Sequence, residues 1–178
     1  NSATINTGGT LTATLGSLTL TSPPMIVNNG GTYNHALNGG TIPAGTWNSG
    51  STCEVSGATT TFPFGTVQSF HHFTWSSTNT VAMTAFAPTA IAGNFNITAG
   101  GAGVNYCRLT TSGFTVAGDF ILSGTANYQL GTGANRTLNV SGNFLMTGGT
   151  LNISTGALIG TLNVAGNFTH TGGTITEL

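Results

Sequence analysis

Four short stretches decide the fold: Ala90-Ile91-Ala92-Gly93-Asn94-Phe95, Thr115-Val116-Ala117-Gly118-Asp119-Phe120, Asn139-Val140-Ser141-Gly142-Asn143-Phe144 and Asn163-Val164-Ala165-Gly166-Asn167-Phe168. Their glycines, Gly93, Gly118, Gly142 and Gly166, are spaced by 25, 24 and 24 residues. A second marker, Gly148-Gly149-Thr150 and Gly172-Gly173-Thr174, repeats at 24 as well. Two independent markers with one period define a structural repeat. Phe73 lies 22 residues before Phe95 and marks an earlier copy.

Within one unit the apolar residues fall two apart in short runs: Leu138 and Val140, Phe144 and Met146, Leu151 and Ile153, then Ile159. Period-two alternation is the strand signature. No stretch shows a helical period. A unit of about 24 residues holding three short strands is too small to bury its own apolar side, but stacking on neighbours buries it. The expected fold is all-β: a right-handed parallel β-helix (β-solenoid), the hand following the general crossover preference. About seven coils rising ~4.8 Å each would make a rod of roughly 35 Å.

The alignment predicts columns. Phe95, Phe120, Phe144 and Phe168 should stack inside, with Phe73 below them. Trp75, Ile97, Leu122, Met146 and His170 should form a parallel column, and Val116, Val140 and Val164 another. Asn94, Asp119, Asn143 and Asn167 follow the glycine in each copy. Amides in register can hydrogen-bond along the stack. The glycines beside them are expected to supply a turn conformation closed to residues with a Cβ.

Residues 1–66 read as irregular N-terminal coils or a cap with loop insertions, and 67–178 as the regular ~24-residue repeats, all one continuous domain. Thr10–Leu15 and Ser17–Thr21 alternate strictly and read as strands. Gly8-Gly9-Thr10, Gly30-Gly31-Thr32 and Gly39-Gly40-Thr41 carry the second marker without its 24-residue spacing. Pro23, Pro24 and Pro43 interrupt any central strand there. The chain starts at Asn1 and ends within a strand pattern, as expected of a piece of a longer precursor.

Composition narrows the function. Of 178 residues only five are charged: Glu54, Arg108, Asp119, Arg136 and Glu177. Two cations give no footprint for phosphates, so no nucleic-acid partner is expected. No run of about 18 apolar residues is present to read as a membrane span. Hydrolysis of a glycosidic bond needs two carboxylates about 5–10 Å apart, and no acidic pair falls on adjacent coils at matching positions. β-Helix lyases use clustered acids and a base, and this chain has neither acid cluster nor lysine. No catalytic residue, metal ligand or cofactor is expected.

Other candidates read as structural. Asp119 takes an amide's place in the ladder. His71 and His72, adjacent on a strand, should point to opposite faces. His35 and His170 also read as structural. Cys107 precedes Leu109 as Tyr128 precedes Leu130, an inward position, and Cys53 lies too far along the stack for a disulfide. The five N-x-[ST] sequons, at Asn96, Asn135, Asn139, Asn152 and Asn167, include three generated by the repeat. Tyr33 and Trp47, in the irregular third, are the candidate exposed aromatics for a ligand. The outward set around Thr137, Asn139 and Ser141 is not a clean threonine array of the kind that would bind ice.

The G-[ND]-F coils, the Gly-Gly-Thr turns and the Thr/Asn-rich strands resemble the β-strand-repeat segments of large secreted proteins of Bacteroidota, exported by the type IX secretion system. The stretch from Gly30-Gly31-Thr32-Tyr33-Asn34-His35 through Gly45-Thr46-Trp47-Asn48 to Gly50-Ser51 shares that likeness, which extends from Gly30 to the C-terminus. The resemblance implies a parallel β-helix on an extracellular, cell-surface protein with an adhesin-like or structural role. The expected partners are flanking repeats or domains of the same precursor, surface glycans or other copies of the chain. The sorting domain typical of that export route is not in this sequence. The leading expectation is a non-enzymatic stalk or surface module; a carbohydrate-binding or carbohydrate-processing β-helix comes second, and ice binding third.

Overall fold

In a computed structural model the chain forms a β-solenoid of about seven turns. The structure describes residues 2–16, 18, 20, 24–103, 106–109, 113–131, 133–154 and 156–177. Every strand pair is parallel, and no helix occurs among the described residues. Each regular coil turns through three faces.

The first face holds the strands Ser69–Phe70, Ala90–Ile91, Phe114–Val116, Arg136–Val140 and Gly160–Val164, joined in one sheet. Thr4–Ile5, Met25–Val27 and Gly45–Trp47 take the same place in the earlier coils as a separate three-stranded sheet. Gln68 sits where the two sheets part. Its Oε1 accepts the Gly45 N–H at 3.1 Å and the Trp47 indole N–H at 2.9 Å. Its amide nitrogen donates to the carbonyls of Gly65 and Pro43. One side chain thus satisfies backbone groups that the missing strand pairing leaves open.

The second face runs the length of the molecule through Thr10–Ala13, Thr32–His35, Thr52–Val55, His72–Trp75, Phe95–Ile97 and Phe120–Leu122, then the first residues of Phe144–Ser154 and Phe168–Glu177. Those two long strands bend round the corner into the third face. There they continue a ladder begun by Met83–Phe86, Cys107–Leu109 and Asn127–Gly131.

The inward column on the second face has the register Leu11, Tyr33, Cys53, Phe73, Phe95, Phe120, Phe144, Phe168. The next inward column is Ala13, His35, Val55, Trp75, Ile97, Leu122, Met146, His170. Phe73, Phe95, Phe120 and Phe144 are fully buried. Ring centroids are 5.2 Å apart for Phe95–Phe120 and 5.5 Å for Phe120–Phe144. Each such ring contributes about 1.5–3 kcal/mol of hydrophobic burial. Phe168 is the exception: it packs on Phe144 at 4.6 Å but is 54% exposed, because no further coil covers its other side.

The N-terminal third shares this framework. Its second-face strands follow at 22 and 20 residues (Thr10↔Thr32, Thr32↔Thr52) rather than at 24. Third-face strands begin only at Met83. The early coils are shorter, and this disguises their period. Of the two expected strands, Thr10–Ala13 forms, while Leu15 is 91% exposed outside it. Leu18 and Leu20 belong to no strand and pack partly against the core. Ser17, Thr19, Thr21 and Pro23 lie outside the described residues.

Candidate functional site

The column of Asn94, Asp119, Asn143 and Asn167 is built differently from a chain of amides. Each side-chain oxygen accepts the backbone N–H of its counterpart one coil on. Asn94 Oδ1 takes Asp119 N–H at 3.0 Å, Asp119 Oδ1 takes Asn143 N–H at 2.7 Å, and Asn143 Oδ1 takes Asn167 N–H at 2.9 Å. A side-chain to side-chain link also occurs: Asn143 Nδ2 donates to Asp119 Oδ1 at 3.0 Å. His72 extends the column downward, its Nδ1 accepting the Asn94 N–H at 2.9 Å. The position requires an acceptor, and Asn, Asp and neutral His each supply one.

The glycines ahead of this column are a correction. None of Gly93, Gly118, Gly142 and Gly166 has positive φ. They are glycine because coils approach closely there: a Cβ on Gly142 would lie 2.6 Å from the Gly118 carbonyl oxygen. In the regular coils left-handed glycines sit at the other corner, as at Gly149 (φ 81) and Gly173 (φ 86), whereas in the early coils Gly8 (φ 74) and Gly30 (φ 70) take that conformation just ahead of the second face. The Gly-Gly-Thr marker is thus two different corners. Copies at 8–10 and 30–32 lead into the second face; copies at 148–150 and 172–174 lead from the second face to the third.

Tyr33 and Trp47 are not an exposed platform. Tyr33 is fully buried in the phenylalanine column, its hydroxyl 3.2 Å from His35 Nδ1. Burial, and then the neighbouring Cys53, push its phenol well above the ordinary value. Trp47 is half-buried, 5.0 Å from the Phe70 ring and 6.3 Å from Tyr33. Both face inward because their alternation continues that of the regular coils.

His35 Nε2 lies 2.6 Å from the Gly39 carbonyl, so that nitrogen donates, and the neutral ring accepts the Tyr33 hydroxyl at Nδ1. Burial lowers its pKa, only partly offset by the Gly39 bond. His71 and His72 do not diverge. His71 sits at the corner ahead of the strand His72–Trp75, and the two rings stand 4.3 Å apart. Burial, then His71, lowers the His72 pKa. No group of three or more His, Cys, Asp or Glu that could hold a metal ion occurs among the described residues.

Cys53 and Cys107 are free and buried on different faces. Burial raises the Cys53 thiol well above its usual value and pushes Cys107 up to about 12. Both stay protonated and behave as small apolar groups. Glu54 accepts the Ser76 hydroxyl at 2.6 Å. Its register neighbours Thr74, Asn96 and Ile121 put it three coils from the coil of Asp119. That separation is about 14 Å at ~4.8 Å per coil.

A cavity of about 370 Å³ opens on the third face. Gly103, Tyr106, Asn127, Gln129, Thr150, Asn152 and Thr176 line it. In register the strands bring Asn127 beside Thr150, and Gln129 beside Asn152 beside Thr176. These alternate with the inward Tyr128 and Leu151, so they point away from the core. Gly101 and Gly103 border one side: Asn127 Nδ2 donates to their carbonyls at 2.7 and 2.9 Å. Arg108 lies 6.0 Å from the centre of the Tyr106 ring. The sequence reading missed this cavity, because outward alternation predicts solvated amides rather than buried ones.

The fold and its columns define a class: a charge-poor parallel β-solenoid with an acceptor column along one corner and an aromatic column inside. No protein-family model, curated protein or solved structure matches the chain.

Proposed function

We propose that this chain is a non-enzymatic structural segment of a secreted bacterial cell-surface protein, acting as a rigid stalk or surface-interaction module. The observation that carries the reading is continuity. One second-face ladder and one inward column run from Leu11 to Phe168 without interruption. Every coil is therefore tied to the next by parallel backbone hydrogen bonds, by core packing and, in the regular part, by the acceptor column. Such a stack resists bending because no coil can tilt without breaking all three.

The distribution of charge supports the same reading. Glu54 and Asp119, three coils apart, do not make an acid–base pair for glycoside hydrolysis, which needs about 5–10 Å. No helix of the described residues is long and apolar enough to cross a membrane. Location outside the cell rests on the resemblance to exported Bacteroidota repeat proteins. The strand Phe168–Glu177 pairs on one side only. An open strand edge is a template for another strand.

Single-molecule pulling from the two ends tests the proposal. A load-bearing stack gives sawtooth release, each ~24-residue coil adding about 80 Å of extended chain. Smooth extension, with no more resistance than an unstructured chain, would overturn it.

A further inference from the structure

We propose that the third-face cavity is a binding site for a neutral saccharide, with Gln129 and Asn152 as its polar centre and Tyr106 as its stacking wall. Gln129 is 5% exposed and Asn152 6% exposed. Gln129 Oε1 and Asn152 Oδ1 have no hydrogen-bond partner. An unpaired buried amide oxygen costs on the order of 1–3 kcal/mol, and two side by side in register concentrate that cost at one place. Leucine would fit the same strand positions without that cost. Buried polar groups without partners call for a ligand or ordered water to satisfy them.

The lining specifies the ligand's chemistry. It presents amides, which donate and accept, and the hydroxyls of Thr150 and Thr176; Arg108 is not among the lining residues but stands beside one wall, 6.0 Å from the centre of the Tyr106 ring. A saccharide hydroxyl also donates and accepts, so it can pair with either end of an amide. Tyr106 adds an aromatic surface suited to the apolar C–H face of a sugar ring. The volume of about 370 Å³ lies within the usual span of small-molecule sites, about 300–1,000 Å³. The site differs from the Tyr33–Trp47 region, and it does not depend on the stalk reading.

The test is titration calorimetry of the intact chain against neutral hexasaccharides (β-1,4-glucan, β-1,4-xylan and α-1,6-mannan types) and a uronic-acid hexasaccharide. At least one neutral oligomer should bind with Kd below about 1 mM. Gln129→Leu and Tyr106→Ala should each weaken that binding at least tenfold, about 1.4 kcal/mol. Gln129→Leu should also leave Tm unchanged or raised, which separates lost binding from lost folding; Tyr106→Ala, at the cavity wall, provides the second variant. Three results would overturn the proposal. They are no neutral oligomer binding, binding unaltered in both variants, or binding confined to the uronic-acid oligomer and abolished by salt. If Gln129→Leu raises Tm and nothing binds, the cavity holds ordered water only.

Discussion

Asp119 shows how one position can accept several residue types. Its neighbours above and below are asparagines, yet what the site uses is a single oxygen facing the next coil's N–H. Asp119→Asn keeps that oxygen and should change stability by less than about 0.5 kcal/mol. Asp119→Ala removes it and should cost about 1 kcal/mol, read from urea midpoints. Gly142→Ala should be worse, by about 1–3 kcal/mol, because its Cβ would meet the Gly118 backbone at 2.6 Å. His35 and His72 together set the pH response. The folded pKa of each is lowered, so the unfolded chain binds the extra protons, and stability is lost as pH falls below about 6.5. Urea midpoints should drop between pH 7 and pH 5, and His35→Gln should flatten that drop; an unchanged slope in the variant would count against the assignment.

At the scale of elements, legibility followed repetition. Phe95, Phe120, Phe144 and Phe168 could be aligned because identical residues recur at a nearly constant interval. The same column continues as Phe73, Cys53, Tyr33 and Leu11, where both residue type and coil length change. Only inward orientation is kept there, and a 20-residue coil hides it from a 24-residue ruler. Tyr33 and Trp47 therefore looked available for a ligand when Tyr33 is core and Trp47 packs half-buried against it. The Gly-Gly-Thr marker misled in the opposite way, since two corners with different needs use the same tripeptide. The cavity was illegible for a third reason: Gly101, Gly103 and Tyr106 close one side of it, and alternation within a strand carries no information about what lies against it. Phe95 allows an element-scale check. It is fully buried between Phe73 and Phe120, so Phe95→Ala should cost about 3–5 kcal/mol, measured by chemical denaturation. Phe168→Ala, half exposed, should cost clearly less in the same assay.

For the whole molecule, scarcity of charge and regular stacking belong together. A charged residue repeated once per coil would face its own copy about 4.8 Å away and repel it. Asn, Thr and Ser in the same columns bond to one another, as Asn163 Nδ2 does to Asn139 Oδ1 at 2.9 Å and Asn48 Nδ2 to Asn28 Oδ1 at 2.9 Å. The coil is then an exchangeable unit, matched to any copy of itself. Residues 143–166 form one such unit free of charge, since Gly166 precedes Asn167 as Gly142 precedes Asn143. Small-angle X-ray scattering of chains carrying six added copies of residues 143–166 tests this most directly. The maximum dimension should grow by about 29 Å, near 4.8 Å per copy, with the cross-section unchanged. A cross-section that widens with the added copies, or a dimension that grows as an unfolded chain's would, contradicts the stacked-coil account.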